Sequence, residues 1–229
     1  GPMLSQKLSI PVITNAMKIA CKDNTVFAAT RAGEEEANLP ALVTVERGYL
    51  LRFSSIFSKI GDVEIIDNTK LNCDVKKCGL SGSPTRVLEV FENESGKRKC
   101  KFISKDELIS LVEDLVKQKR GVEKQAFDGK KLKCVWAVGE EVIEKAKEIS
   151  EEVVFIEKTT PEEIAKRAIE EKPDVILWNA DLWGRKNAPI VAAILDTGLC
   201  ADCTKIEADG EDLIMYRPAQ GGNIIAKIK

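Results

Sequence analysis

The segment Cys134-Val-Trp-Ala-Val138 is an uninterrupted apolar run of strand length, and the architecture of the C-terminal half follows from it. Two similar runs, Val153 to Ile156 and Val175 to Trp178, come later with room for one helix in each interval. Apolar strands that alternate with helices are typical of a parallel sheet covered on both faces. The pattern therefore predicts an α/β unit in this half of the chain.

The segments between and after these runs carry helix signals. Glu140 to Ile149 places its apolar side chains on one helical face. Thr160-Pro-Glu-Glu163 supplies an N-cap, a proline at the first helical position and an early carboxylate, so a helix is expected from there to about Lys172. A third helix is expected around Pro189 to Leu195, with Gly198 as the residue that terminates it.

The C-terminal tail is predicted to be a hairpin. Asp209-Gly210 is a favourable turn pair between two strand-like runs within Cys203 to Tyr216. Beyond it, Gly221-Gly222 interrupts a strand pair, which indicates a bulge or a close backbone approach.

The first half of the chain is predicted to be β-rich. Between Ile10 and Phe91, short apolar or alternating runs are separated by turn-forming and charged stretches. Ser104-Lys-Asp-Glu107 is a capping box, and an apolar stripe continues the helix to about Gln118. The stripe consists of Leu108, Leu111, Val112, Leu115 and Val116. The polar stretch Lys119 to Lys131 is the best linker candidate, so we expect domains at 1–122 and 123–229.

Composition excludes several classes of function. Lys+Arg number 35 and Asp+Glu number 37, and the net charge of -2 gives no field that would attract nucleic acid or an anionic membrane. The chain has no histidine, which excludes an imidazole base and a histidine-ligated metal within it. Its apolar stretches fall short of the roughly 20 residues of a membrane helix, and its cysteines are an odd, scattered set. We therefore expect a cytoplasmic protein without membrane insertion or a bound metal.

Cys200-x-x-Cys203 is the most closely spaced cysteine pair. It is compatible with a redox dithiol, with half of a metal site completed by Cys73 and Cys78, or with reduced thiols packed beside strands. The spacing of Cys73 and Cys78 is loose for a thiolate zinc site, and reduced, packed thiols are the favoured interpretation.

Two further segments have the chemistry of binding sites. Asn179 to Arg185 follows a predicted strand, and ligands of open α/β sheets bind just beyond the carboxyl ends of strands. Arg185 could hold an anion there, but helix capping by Asp181 and surface pairing are the favoured interpretation. Arg52 to Lys59 gathers apolar side chains among polar ones, which fits either a loop folded under the sheet or an exposed anchor for a partner.

Longer motifs in both halves resemble electron transfer flavoproteins. Leu39-Pro-Ala-Leu-Val-Thr-Val45 and Gly82-Ser-Pro-Thr-Arg-Val87 are similar to stretches in the second half of that family's β subunit. Thr197-Gly-Leu-Cys-Ala-Asp-Cys-Thr204 and Arg217-Pro-Ala-Gln-Gly-Gly-Asn-Ile-Ile-Ala226 are similar to stretches in the N-terminal domain of its α subunit. The chain thus resembles the second half of a β subunit fused to the start of an α subunit. This implies two Rossmann-like open-sheet units: the first is truncated at its N-terminus, and the second has a mainly parallel sheet covered by helices, with a C-terminal hairpin.

The resemblance also implies cofactor and partner sites. The family's electron-carrying FAD sits mainly in the C-terminal domain of the α subunit, so the main FAD site is expected outside this chain. A second nucleotide, AMP or a second FAD, is held in the family by a loop whose edge matches Gly1, Pro2 and Met3.

The family's recognition loop for flavoprotein dehydrogenases matches the segment from Arg52 to Lys59. Ile56 lies near the apolar anchor of that loop, and Arg52 and Lys59 flank it as the expected docking residues.

The leading expectation is an electron carrier between flavoenzymes, on an incomplete chain that lacks the main FAD domain. The isoalloxazine performs the redox chemistry, so no residue here need act as an acid or base, and a carrier is expected rather than an enzyme with its own substrate. The alternatives are a cofactor-free scaffold module and a protein that binds AMP near Gly139 and Asp181. Expected partners are a flavoprotein dehydrogenase and either the missing family segments or further copies of the chain, since open sheet edges favour self-association.

Overall fold

The computed structural model describes residues 1–50, 55, 57, 61, 63–93, 102–120, 129–210 and 212–229. Its helices are α1 (Pro2–Leu8), α2 (Asn68–Leu71), α3 (Gly79–Gly82), α4 (Lys105–Arg120), α5 (Ile143–Ile149), α6 (Pro161–Glu171) and α7 (Leu182–Ile194). Its strands are β1 (Val12–Ala16), β2 (Lys18–Lys22), β3 (Thr25–Thr30), β4 (Gly33–Asn38), β5 (Leu42–Val45), β6 (Val87–Glu92), β7 (Leu132–Val138), β8 (Ser150–Ile156), β9 (Val175–Trp178), β10 (Lys205–Asp209), β11 (Asp212–Ala219) and β12 (Ile224–Ile228). The predicted α/β fold class is confirmed.

The C-terminal half is built on a parallel sheet of strand order β8-β7-β9. Side chains of the central strand alternate between its two faces. Val135 and Ala137 pack with α5 and with Ala208 of β10 on one face. Trp136 and Val138 pack with α6 and α7 on the other. The central strand is buried on both sides, which explains its uninterrupted apolar sequence.

Two helix starts follow the sequence signals. The hydroxyl of Thr160 accepts a hydrogen bond from the Glu163 amide at 3.3 Å, at the start of α6. Before α4, the Ser104 hydroxyl accepts from the Glu107 amide at 3.3 Å, and the Glu107 carboxylate accepts from the Ser104 amide at 2.8 Å. The amide and hydroxyl of Ser104 lower the pKa of the Glu107 carboxyl. The predicted capping box is confirmed.

One helix differs from the expectation. α7 begins at Leu182 rather than near Pro189, so the proline lies inside the helix. Gly198 does not terminate it, because the left-handed residue that follows α7 is Asp196, with φ of 52°. A proline inside a helix removes a hydrogen bond and normally argues against such an assignment. Most of the second half of α7 is buried, and that burial offsets the lost hydrogen bond.

A second sheet, antiparallel and of strand order β10-β11-β12-β6, joins the two halves. Its β10–β11 hairpin turns at Gly210, with φ of 69°, as predicted. β12 pairs with β6, so that Ala226 faces Val90. Beyond this ladder, the Arg86 amide donates to the Lys229 carbonyl oxygen at 2.7 Å, and the Lys229 amide donates to the Arg86 carbonyl oxygen at 2.8 Å. Strands on both sides of the expected boundary at residue 122 therefore share one sheet.

The first half contains a parallel pair, β1 with β5, and an antiparallel meander, β2-β3-β4. The buried core that they share is small and consists of Ile13, Ala16, Val26 and Ala28. α1 packs against α7, and the Lys7 ammonium lies 3.2 Å from the Asp196 carboxylate. A second ion pair, Lys186 with Glu35 at 2.6 Å, also connects α7 to this half. None of the described helices combines the length and apolar composition needed to cross a membrane.

Candidate functional site

The carboxyl edge of the parallel sheet is the candidate site, because α/β sheets bind ligands at that edge. β7 ends at Val138 and β9 at Trp178, and these two residues lie opposite each other. Gly139 and Asn179 follow them, and the Asn179 amide donates to the Val138 carbonyl oxygen at 3.0 Å. The structure thus brings together the two strand ends that the sequence analysis singled out.

The Asn179 residue fills the corner between the strand ends and α7. Gly139 has φ of 108°, and a Cβ placed there would lie 2.4 Å from Cγ of Asn179. A Cβ placed on Gly184 would lie 2.1 Å from the Asn179 carbonyl oxygen. Asn179 is only 9% exposed, and its Oδ1 has no hydrogen-bond partner among the described residues. The two glycines therefore make room for the asparagine, at the place where a nucleotide-binding sheet leaves room for a phosphate.

Asp181 closes the first turn of α7. Its Oδ1 accepts from the Gly184 amide at 2.7 Å, and its Oδ2 accepts from the Lys158 ammonium at 2.6 Å. These two donors, the Gly184 amide first, lower the pKa of the Asp181 carboxyl. The interpretation of Asp181 as a helix cap is confirmed, and the amide it engages is not available to an external anion.

Replacing Asp181 with alanine should destabilise the protein by about 1 kcal/mol, because the N-cap is lost. Asp181→Asn is the matched control, since asparagine caps a helix as well as aspartate does. The pKa is lowered in the folded state, so the carboxylate stabilises the fold above its unfolded pKa of about 4 and loses that effect as the pH falls through the folded value. In urea unfolding experiments, any excess in the free energy of unfolding of wild type over Asp181→Asn should disappear in acid. Equal stability of wild type and Asp181→Ala at pH 7 would contradict the assignment.

A cavity of about 1110 Å³ opens beside this edge, between the two halves of the chain. Asn15 and Thr44 line it from the first half, and Asn179 lines it from the second. The basic side chains of its lining are each paired with a carboxylate. These pairs are Lys145 with Glu148, Arg185 with Asp202, Lys205 with Glu207, and Lys229 with Asp212. The volume would admit a small ligand, since typical sites measure about 300–1,000 Å³.

The described lining does not fit the pyrophosphate of FAD. Dinucleotides bind where a glycine-rich turn and the free amides of a helix N-terminus face the phosphates. Here the Gly139 corner is occupied by Asn179, the start of α7 is capped by Asp181, and the lining cations are paired. This part of the chain therefore offers a flavin no ready set of phosphate donors.

The residues expected at the edge of a second nucleotide site lie at the N-terminus of α1. Gly1 is its N-cap, and a Cβ there would lie 2.9 Å from Cγ2 of Thr44. Pro2 lines the cavity. Met3 is 41% exposed on the same helix. Of the three, Pro2 is the residue that the structure places on the cavity wall.

The expected docking residues Arg52, Ile56 and Lys59 lie outside the described residues. Phe57 is described, and its side chain is 88% exposed.

The loop between α7 and β10 makes contacts that sequence reasoning missed. A Cβ placed on Gly198 would lie 2.8 Å from Cγ2 of Thr85 and 3.4 Å from Pro84. The Arg185 guanidinium donates to the Asp202 carboxylate at 2.7 Å, which confirms the interpretation as surface pairing. Two motifs quoted above, one from each half, thus meet at Gly198. Each motif is recognisable alone, but no local pattern indicates that they touch.

Among the described residues, no group of three or more cysteine or carboxylate side chains is arranged to hold a metal ion.

Comparison with known proteins adds to this geometry. Residues 153–229 match the family described as the electron transfer flavoprotein domain. The match spans β9, α7 and the antiparallel strands β10 to β12. It therefore contains Asn179, Asp181 and the whole loop that reaches Thr85.

Three curated proteins are similar to part of this chain. Electron transfer flavoprotein subunit alpha of Thermoanaerobacterium thermosaccharolyticum is 49% identical over 67 residues, which are 29% of this chain and 20% of the relative. Lactate dehydrogenase (NAD(+),ferredoxin) subunit LctC of Acetobacterium woodii is 53% identical over 58 residues, 25% of this chain and 14% of the relative. Protein FixB of Rhizobium meliloti is 41% identical over 58 residues, 25% of this chain and 16% of the relative.

These matches show that part of this chain, residues 153–229, is similar to the electron transfer flavoprotein domain. The chain spans about a fifth or less of the length of the curated relatives it matches. The two α-like motifs, Thr197–Thr204 and Arg217–Ala226, lie inside the matched segment. The β-like motifs, Leu39–Val45 and Gly82–Val87, precede it and remain resemblances.

Proposed function

We propose that this chain is part of an electron transfer flavoprotein that carries electrons from a flavoprotein dehydrogenase to a downstream acceptor. The match of residues 153–229 to the electron transfer flavoprotein domain is the observation that carries the proposal. FAD, when bound in the complete assembly, supplies the redox chemistry, and the chain contributes position and docking surface. Residues 1–122 form the β-like part and residues 123–229 the α-like part in this proposal.

The main FAD site lies outside these residues in this proposal. The filled corner at Gly139, the capped start of α7 and the paired cations of the cavity support that location. The same observations speak against the alternative in which AMP binds near Gly139 and Asp181. A second nucleotide, AMP or FAD, belongs instead near Gly1, Pro2 and Met3, at the wall of the cavity that Pro2 lines.

The docking segment is assigned to Arg52, Ile56 and Lys59, with the apolar Ile56 as the anchor and the two cations beside it. An apolar anchor that is desolvated at the centre of an interface contributes most of its binding free energy. Phe57, which lies in the same stretch of sequence, is exposed.

A chain that docks but lacks the main flavin should act as a competitor. We expect it to inhibit electron transfer from a dehydrogenase to a complete electron transfer flavoprotein. Both of these proteins are taken from the organism of one of the relatives named above. Ile56→Ala should raise the inhibition constant about tenfold, the loss typical of an anchor residue. The measurement is the rate of flavoprotein reduction at increasing chain concentration, and Phe57→Ala is the matched control. A lactate-oxidising enzyme is a suitable donor, because one relative is named as a subunit of such a dehydrogenase.

Three outcomes would contradict the proposal. Equal inhibition by wild type and Ile56→Ala would reject the anchor, and so would a larger effect of Phe57→Ala. Retention of one tightly held FAD per chain after gel filtration, measured from flavin absorbance, would reject the location of the main site. Circular dichroism of each variant would establish that it is folded.

A further inference from the structure

The loop between α7 and β10 brings two thiols together. Sγ of Cys203 lies 3.6 Å from the carbonyl oxygen of Cys200. The backbone turns between them at Asp202, which has φ of 57°. The two cysteines have the Cys-x-x-Cys spacing of redox-active dithiols, and the contact and the turn together place the Cys203 thiol beside the backbone of Cys200. Both cysteines are partly buried and line the cavity between the two halves.

The ionisation of Cys203 reflects the same proximity. Burial is the first cause and the neighbouring Cys200 side chain the second, and together they raise the pKa of the Cys203 thiol to about 12. A thiol with such a pKa is almost entirely protonated at neutral pH, so it is a poor first nucleophile.

We propose that Cys200 and Cys203 form a reversible disulfide within this loop by exchange with a low-molecular-weight disulfide such as glutathione disulfide. The Cys200 thiolate attacks one sulfur of the oxidant, whose S–S bond breaks and releases one glutathione thiolate. The Cys203 thiol then gives its proton to solvent and attacks Sγ of Cys200, which releases the second glutathione. Two electrons pass from the protein dithiol to the oxidant, and two molecules of glutathione leave.

The proposed disulfide lies in a loop that contacts both α7 and the first half of the chain. The Arg185–Asp202 pair at 2.7 Å holds the loop to α7, and Gly198 rests against Thr85 of the other half. A bond that fixes the backbone between Cys200 and Cys203 therefore restrains the segment through which the two halves touch. The proposal does not depend on flavin or on the docking segment.

Mass spectrometry tests the proposal on the intact chain. The chain is incubated with glutathione disulfide, alkylated under denaturing conditions and digested with trypsin. The peptide Asn187 to Lys205 contains Cys200 and Cys203 and no other cysteine. We expect this peptide to be two hydrogen atoms lighter than its reduced form and to take alkyl groups only after dithiothreitol. In Cys200→Ser, the remaining Cys203 thiol should be alkylated.

Exposed cysteines supply the internal control. Cys73 and Cys78 are exposed and point to different backbone carbonyls, those of Leu71 and Asp74. Glutathione adducts on this pair would show that the oxidant was active in the same sample. A glutathione adduct that persists on Cys200, or a 187–205 peptide that still takes two alkyl groups, would then overturn the proposal.

Hydrogen exchange tests the restraint. Amides of residues 199–204 should exchange more slowly after oxidation in wild type and at an unchanged rate in Cys200→Ser. Equal exchange before and after oxidation in wild type would reject the restraint of the loop.

Discussion

A Gly184→Ala variant is expected to lose about 3 kcal/mol of unfolding free energy, as severe overpacking does. The sign is opposite to that of helix propensity, because Gly184 lies in the first turn of α7 and alanine is the better helix former. The expected loss comes from the 2.1 Å approach of the new Cβ to the Asn179 carbonyl oxygen.

The backbones of Asn179 and Gly184 are both held by hydrogen bonds, so neither can move away from the new Cβ without a loss of stability. The Asn179 backbone is fixed because its amide donates to the Val138 carbonyl oxygen at the end of the sheet. The Gly184 backbone is fixed by its hydrogen bond to Asp181. To relieve the overlap, α7 must move away from the sheet, and the buried packing of Val191 on Trp136 would loosen with it.

Urea unfolding followed by tryptophan fluorescence measures the effect. All three tryptophans of the chain, Trp136, Trp178 and Trp183, lie in or beside the parallel sheet and α7. Gly61→Ala is the control, because a Cβ at Gly61 meets no atom of the described residues within 4 Å. If Gly184→Ala is as stable as Gly61→Ala, the expected overlap between the new Cβ and the Asn179 carbonyl oxygen does not destabilise the protein, and the prediction is wrong.

The strands of the C-terminal half are the features that the sequence predicts best. The apolar run at Cys134–Val138 and the Asp209-Gly210 turn are local patterns, and each has one favoured structure. The start of α7 was mispredicted because Pro189 is a local signal that burial overrides. Local signals are reliable where packing agrees with them.

The candidate site was only partly predictable for the same reason. The sequence indicated the strand ends at Gly139 and Asn179 and the cap at Asp181. It gave no sign that the Asn179 side chain lies against Gly139, nor that Gly198 touches Thr85. Both are contacts between residues far apart in the chain, and a single sequence does not encode such pairs in any local period.

Replacing Ala226 with proline is the second substitution with a large expected effect. Ala226 lies in β12, between Arg217 of β11 and Val90 of β6. The amides of a strand with neighbours on both sides all face one neighbour or the other, so any proline there removes a ladder hydrogen bond. The unpaired carbonyl alone costs about 1–3 kcal/mol.

Ala226→Pro should destabilise the first half of the chain more than the second. Every side chain of β6 is exposed, so backbone pairing with β12 holds that strand more than side-chain packing does. We therefore expect Ala226→Pro to weaken the attachment of β6 and of the residues before it, while the parallel sheet stays folded around Trp136. The remaining links between the halves are the packing of α1 on α7, the contact of Gly198 with Thr85 and a few ion pairs. Ion pairs such as Lys186 with Glu35 lie on partly exposed side chains and contribute little.

Two probes separate these outcomes. Tryptophan fluorescence reports on the C-terminal half alone, whereas far-ultraviolet circular dichroism reports on both halves. In wild type the two urea transitions should coincide if the shared sheet makes the halves one cooperative unit. In Ala226→Pro the dichroism transition should begin at lower urea, and in the control Ala226→Ser, which keeps the amide, it should not. Coincident and unshifted transitions in the proline variant would mean that the shared sheet does not couple the halves, and that α1 against α7 carries the contact between them instead.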